Sequence, residues 1–159
     1  LRKDVEWNWT PECADAFKTL KKEMLARPFL HGPNFREKLY LSTDASDDGK
    51  GAVLWQRGKD GGMRVISWYS KAWTPAMRAR PVYYREAEAL YWGIGKVKFY
   101  AQAADHTLTA LTDQQPLRWA RHSEKGLVTK WRVEVAGDVD YTVEYTPGET
   151  NFLADAASR

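Results

Sequence analysis

Asp44, Glu88, Asp113 and Asp155 stand where a carboxylate is hard to read as surface decoration. Asp44 closes the apolar run Leu39-Tyr40-Leu41-Ser42-Thr43, and Asp113 closes Leu108-Thr109-Ala110-Leu111-Thr112. Glu88 lies near the start of a long amphipathic segment. Asp155 falls in a short helical run, Asn151-Phe152-Leu153-Ala154-Asp155-Ala156-Ala157. No cluster of His or Cys accompanies them, and His31, His106 and His122 show no metal-ligand spacing. Oxygen donors without soft partners select a hard cation such as Mg²⁺ or Mn²⁺. Two such ions held together are the usual machinery for hydrolysing a phosphodiester. Carboxylates that converge without a cation repel one another, so convergence implies bound metal or raised pKa values.

The elements that must position these acids can be read from the pattern. Thr10-Pro11-Glu12 has the order of an N-cap, a helical first-turn proline and an acid, and a helix is expected from there to Pro28. From Leu39 the period changes to that of strands: 39–46, 51–57 and 63–69, separated by the turns Asp47-Asp48-Gly49 and Gly58–Gly62. Such short connections predict an antiparallel meander. Residues 83–102 carry a helical stripe of Leu90, Ile94, Val97 and Ala101. Gly93 and Gly95 each weaken that helix by about 1 kcal/mol relative to Ala, which points to close packing on a sheet. A fourth strand over 106–112 follows a helical crossover and should run parallel to an earlier one. Short helices over 116–121 and 127–135, a fifth strand over 141–146, and a last helix capped by Asn151 complete the order.

The chain of 159 residues is long enough for one domain with a real core and an appendage. Eight Trp and eight Tyr exceed what a core of this size needs, leaving rings to bind sugars or bases. The net charge of +3 does not announce a nucleic-acid binder, but acids gathered at one site can mask a basic surface elsewhere. A single cysteine, Cys13, excludes an internal disulfide and fits a reducing compartment. No run is apolar enough to span a membrane, and no signal peptide is visible. The first residue is Leu, so a piece of a longer polypeptide or a processed product is expected.

Three antiparallel strands, helix, strand, helices, strand and helix is the order of the ribonuclease H fold. The motifs then resemble one family, the ribonuclease H domain of reverse transcriptases from gypsy-type LTR retrotransposons. Thr43-Asp44-Ala45-Ser46 followed by Gly49-Lys50-Gly51-Ala52-Val53-Leu54-Trp55-Gln56 is similar to its TDAS…GxGAVLxQ signature. Ser67-Trp68-Tyr69-Ser70-Lys71 resembles its (Y/F)xSK segment, and Tyr84, Glu86 and Glu88 its YxxxExE helix start. Thr112-Asp113-Gln114-Gln115-Pro116-Leu117 resembles TDHxPL. Tyr145–Asn151 and Ala154–Arg159 are similar to YxPGxxN…ADALSR. Trp9-Thr10, Cys13, Ala16-Phe17, Leu20-Lys21 and Pro28-Phe29-Leu30 resemble the stretch joining the polymerase's connection to its nuclease.

The resemblance implies an α/β ribonuclease H-like fold, with a five-stranded mixed sheet of three antiparallel strands and two parallel additions, flanked by helices. Residues 1–35 would form a connection-like helix and linker, and 36–159 the nuclease. It implies a two-metal endoribonuclease, using Mg²⁺ or Mn²⁺, that cuts the RNA strand of an RNA–DNA hybrid. Asp44, Glu88, Asp113 and Asp155 would be the catalytic metal ligands. Glu86 reaches the same end of the helix, but the spacing to Leu90 and Ile94 in the family's ExELLA pattern favours Glu88. Ser46, Gly51, Lys71, Trp73, Arg78, Tyr145 and Asn151 are candidates for the substrate, with Asn151 equally able to cap its helix. Lys96, Lys98, Lys130 and Arg132 are further phosphate candidates. The polymerase domain of the same polyprotein would be a partner, the fragment a monomer, and the setting a cytoplasmic virus-like particle with no membrane. Gln114 and Tyr145 stand where a His occurs in related sequences, which bears on turnover and not on the metal site. A catalytically silent module that holds a polymerase on its template is the alternative; retention of all four acids favours the enzyme.

Overall fold

The computed structural model describes residues 7–26, 30–122, 126–136 and 139–159. The chain falls into two units, Leu1–His31 and Gly32–Arg159. The first is built on helix α1, Pro11–Ala26. Its N-terminus is capped as the sequence predicts, with the Cys13 amide donating to Thr10 Oγ1 at 3.4 Å. Trp9 packs edge-on against Phe17 with ring centroids 6.1 Å apart. The expected stop at Pro28 lies outside the described residues.

The second unit carries the sheet. Its strands are β1 (Tyr40–Ala45), β2 (Gly49–Arg57), β3 (Met63–Ala72), β4 (Leu108–Thr112) and β5 (Tyr141–Tyr145). They lie in the order β3-β2-β1-β4-β5. The first three form the antiparallel meander, while β4 joins β1 in parallel and β5 joins β4 in parallel. Residues 32–35, placed with the preceding linker by sequence, belong to this unit. Gln56 Nε2 donates to the Asn34 carbonyl at 2.7 Å, and the Asp105 amide donates to the Phe35 carbonyl at 2.9 Å.

Alternation along β1 divides its side chains between two faces. Leu39 and Leu41 join Leu54, Leu90, Ile94, Val97, Leu108 and Tyr141 in the larger core. That core is closed by the long helix α3 (Val82–Ala103) and by α4 (Gly126–Ala136). A short helix, α2 (Pro75–Arg78), precedes α3 and is capped by Thr74. The close approach expected of the paired glycines is real at Gly93, where a Cβ would sit 3.0 Å from Thr43 Cγ2 and 3.1 Å from Ala52 Cβ. At Gly95 it is not, because a Cβ would meet only Val135 Cγ1 at an ordinary 3.7 Å. The opposite face has a smaller core of Val53, Trp55 and Ala157, covered by α5 (Phe152–Ser158).

Candidate active site

Parallel pairing sets the first two acids side by side. Tyr40, Leu41 and Ser42 of β1 pair with Thr109, Ala110 and Leu111 of β4. Continuing that register brings Asp44 abreast of Asp113, at the carboxyl ends of adjacent parallel strands. In an open α/β sheet this is where sites form. The third acid comes from α3. One carboxylate oxygen each from Asp44, Glu86 and Asp113 lie within 4.8 Å of one another.

Glu86, not Glu88, completes this trio. Residues two apart on a helix point about 200° away from each other, so only one of the pair can face the two aspartates. Glu86 stands four residues before Leu90 and eight before Ile94, in line with the buried stripe that seats α3 on the sheet. Glu88 lies on another flank. Its Oε1 is 2.5 Å from Lys50 Nζ. The Lys50 side chain is only 4% exposed, and its ammonium is bracketed by the rings of Trp73 and Trp92 at 5.1 and 5.0 Å. Burial pushes the Lys50 pKa down, and Glu88 opposes that shift.

The electrostatics of the trio are those of a site short of positive charge. Glu86 is 4% exposed, and burial together with the charges of Asp44 and Asp113 pushes its pKa up to about 8. Arg85 pulls the other way but is committed elsewhere, donating to Asp47 Oδ1 at 2.8 Å and to the Ser46 carbonyl at 3.1 Å. Asp113 is raised by burial and by Asp44, with Asp155 adding a smaller push. Glu86 Oε2 and Asp113 Oδ1 are buried and accept no hydrogen bond. Buried carboxylate oxygens left unpaired and mutually repelling fit a hard divalent cation.

Asp155 lies outside the 4.8 Å group. It sits on the rim, where Arg159 Nη2 approaches its Oδ1 at 2.8 Å. Gly148 brings the loop after β5 against Asp113, since a Cβ there would lie 3.4 Å from Asp113 Oδ2.

Several residues expected to touch substrate make contacts within the protein that tie the site's elements together. A Cβ on Gly51 would fall 2.6 Å from Ala154 O, Ala157 C and Ser158 N, so its smallness admits α5. Ser46 Oγ donates to the Ser158 carbonyl at 2.5 Å and accepts the amides of Asp48 and Gly49 in the β1–β2 turn. Asn151 is 3% exposed, makes no side-chain cap, and donates from Nδ2 to the Thr43 carbonyl at 3.0 Å. Arg78 is spent on the same turn, donating to the Asp47 carbonyl at 2.9 Å and pairing with Asp48. The Trp73 indole donates to the Ser46 carbonyl at 2.9 Å while its ring lies against Lys50. Lys71 remains exposed at the end of β3, and Tyr145 is 40% exposed at the end of β5.

Beside the Lys50–Glu88 pair runs a groove of about 500 Å³ between α3 and α4, lined by Lys71, Trp92, Lys96, Lys98 and Trp131 among others. Lys71 and Lys96 both act electrostatically on Lys50, so positive charge gathers here although the whole chain is nearly neutral. Lys96 and Lys98 are secondary candidates from sequence. Sequence reasoning misses Trp92 and Lys50, because Trp92 lies outside the motifs and Lys50 fills a variable position within one.

This sheet with its helices defines a ribonuclease H-like protein. It superposes on a foamy viral protease-reverse transcriptase, dRH, in complex with double-stranded DNA with a TM-score of 0.61 at 12% identity, over 87% of this chain and 25% of that one. LC11-RNase H1 in complex with RNA/DNA hybrid gives 0.57 at 13% identity, over 76% and 93%. At such identities the likeness is one of fold. The chain belongs to the family described as the RNase H-like domain found in reverse transcriptase, which matches residues 9–108. The Tf2-3 and Tf2-4 transposon polyproteins of Schizosaccharomyces pombe are each 31% identical to it over 163 residues, covering 100% of this chain and 12% of the polyprotein.

Proposed function

We propose that the chain is the ribonuclease H domain of a gypsy-type LTR retrotransposon reverse transcriptase, an endonuclease that hydrolyses the RNA strand of RNA–DNA hybrids. The observation that carries this reading is the convergence of Asp44, Glu86 and Asp113. Asp44, Glu86 and Asp113 would hold divalent metal, with Asp155 closing the rim as a fourth ligand. Bound there, Mg²⁺ or Mn²⁺ would supply an activated water and charge to stabilise the leaving 3′ oxygen. The chain's own contribution is to fix those carboxylates on two strand ends and one helix, and to keep Glu86 away from bulk solvent. Lys71, Lys96 and Lys98 would follow the phosphate backbone, and Trp92 and Trp131 would pack against sugars. Such contacts read shape and strand chemistry with little base readout. The remainder of a transposon polyprotein, including its polymerase, would be the physiological partner, within a virus-like particle.

The test is cleavage of labelled RNA–DNA hybrid with Mg²⁺, Mn²⁺ or EDTA, beside DNA and RNA duplexes. RNA cleavage only in the hybrid and only with metal is expected. Equal cleavage in EDTA, or cutting of the DNA strand, would remove the proposal.

A further inference from the structure

Ser158 is one turn of helix beyond Asp155 and 2% exposed. Its hydroxyl lies 2.7 Å from Asp44 Oδ2 and 2.9 Å from the Asp155 carbonyl. A hydroxyl has one proton to give, and the carboxylate, at the shorter distance, is the stronger acceptor. The residue is not free to turn away. Ser46 Oγ holds its carbonyl at 2.5 Å, and its backbone nitrogen is fitted over the absent side chain of Gly51. Asn151 ties the other end of α5 to β1 through the Thr43 carbonyl.

We infer that Ser158 is a positioning residue of the metal site, its hydroxyl orienting the Asp44 carboxylate against Glu86 and Asp113. The inference rests on the metal-binding reading given above. A carboxylate with two oxygens and a free torsion presents a poorly defined ligand, whereas one oxygen tied to a buried donor leaves a defined direction for the other. Loss of such outer hydrogen bonds commonly lowers metal affinity about 10–100-fold. Ser158 also links two acids from opposite ends of the domain, since it bonds Asp44 across 114 residues and belongs to the helix that carries Asp155.

The test is Mn²⁺ binding to the full chain without substrate, followed by electron paramagnetic resonance, with thermal melting to establish folding. S158A should weaken Mn²⁺ binding about 10-fold. L153A thins the packing of α5 on the smaller core, against which Leu153 is partly buried, but leaves the Ser158 hydroxyl on Asp44, and a folded L153A should bind Mn²⁺ within about twofold of the parent. If S158A fails to melt cooperatively, S158C, nearly isosteric but a weak donor, replaces it with the same expected loss. Parental affinity in a folded S158A or S158C overturns the inference. So does an equal loss in a folded L153A, which would reduce Ser158 to a seat for the helix. D44N sets the floor: a parent chain that binds no better than D44N defeats the metal-binding reading itself, and the role of Ser158 falls with it.

Discussion

At the scale of single residues, Glu86 and Glu88 make opposite predictions about stability and chemistry. Glu86 is held up to about 8 from an ordinary 4.5 by burial and by its acidic neighbours. Because its folded pKa is the higher one, the stability it contributes is fully present below about pH 4.5 and is lost as pH rises through about 8. Asp113 is shifted in the same direction. Metal-free protein should therefore melt at lower temperature at pH 8 than at pH 5.5, and added Mg²⁺ should recover the difference at pH 8. Glu86→Gln should raise the metal-free melting temperature at pH 8, flatten its fall with pH, and cut hybrid cleavage at least about 100-fold, roughly 2.7 kcal/mol of barrier. A lower melting temperature for that variant at pH 8 would contradict the assignment. Glu88→Gln leaves the Lys50 ammonium without its carboxylate, at an expected loss of about 1–3 kcal/mol. Chemical denaturation checks that loss, and cleavage by the surviving folded protein should fall far less than with Glu86→Gln.

Elements decide whether those residues meet. The strand meander, the long helix and the parallel entry of β4 were legible, because turns, alternation and the helical stripe are local signals; the parallel pairing of β5 came only with the family resemblance. Asp44 and Asp113 were legible for the same reason, as acids closing apolar strands. Glu86 was legible too, but in a signal that the motif register obscured: it continues the Leu90–Ile94–Val97 stripe, and Glu88 does not. What could not be read was the use made of small and polar residues by a segment about a hundred residues away. Nothing near Gly51 in sequence announces that Ala154, Ala157 and Ser158 pack on it, and nothing near Ser46 or Asn151 reveals the bonds that keep α5 in place. Gly51→Ala puts a methyl against backbone atoms, which cannot rotate aside. It should cost about 1–3 kcal/mol and, by lifting α5, depress cleavage more than the stability loss accounts for. Calorimetry beside single-turnover cleavage would show this; full activity in a folded variant would mean that α5 is not part of the working site.

Across the whole molecule, the question is how a chain of net charge +3 would hold a polyanion. Asp44, Glu86 and Asp113 gather at one end of the sheet, while Lys71 and Lys96, which line the groove, both act on Lys50 beside it. Hybrid binding should therefore be modest and strongly dependent on salt. Lys71→Ala should reduce the log–log salt slope by about one, the change expected when one phosphate is no longer neutralised. Arg78→Ala should leave the slope unchanged, because that guanidinium is already bound to the turn carrying Asp47 and Asp48. Filter binding at several ionic strengths would decide; a slope lowered by Arg78→Ala and not by Lys71→Ala would move the substrate track from the groove to the turn.

The placement of α5 also has a consequence in time. Among the residues of the site a ribosome delivers Asp44 first, then Glu86 and Asp113, and Ser158 only after 114 more residues than Asp44. Until that last helix emerges, β1 and β2 have one uncovered face and Asp44 lacks the donor that orients it. Contacts of such long sequence separation are also slow to form, since loop closure must precede any reward from packing. During synthesis, then, cutting would follow the completion of the sheet and of the inner acids, and would wait for α5. A nascent polypeptide could finish its meander and long helix, and even collect its three inner carboxylates, while still unable to cut a hybrid.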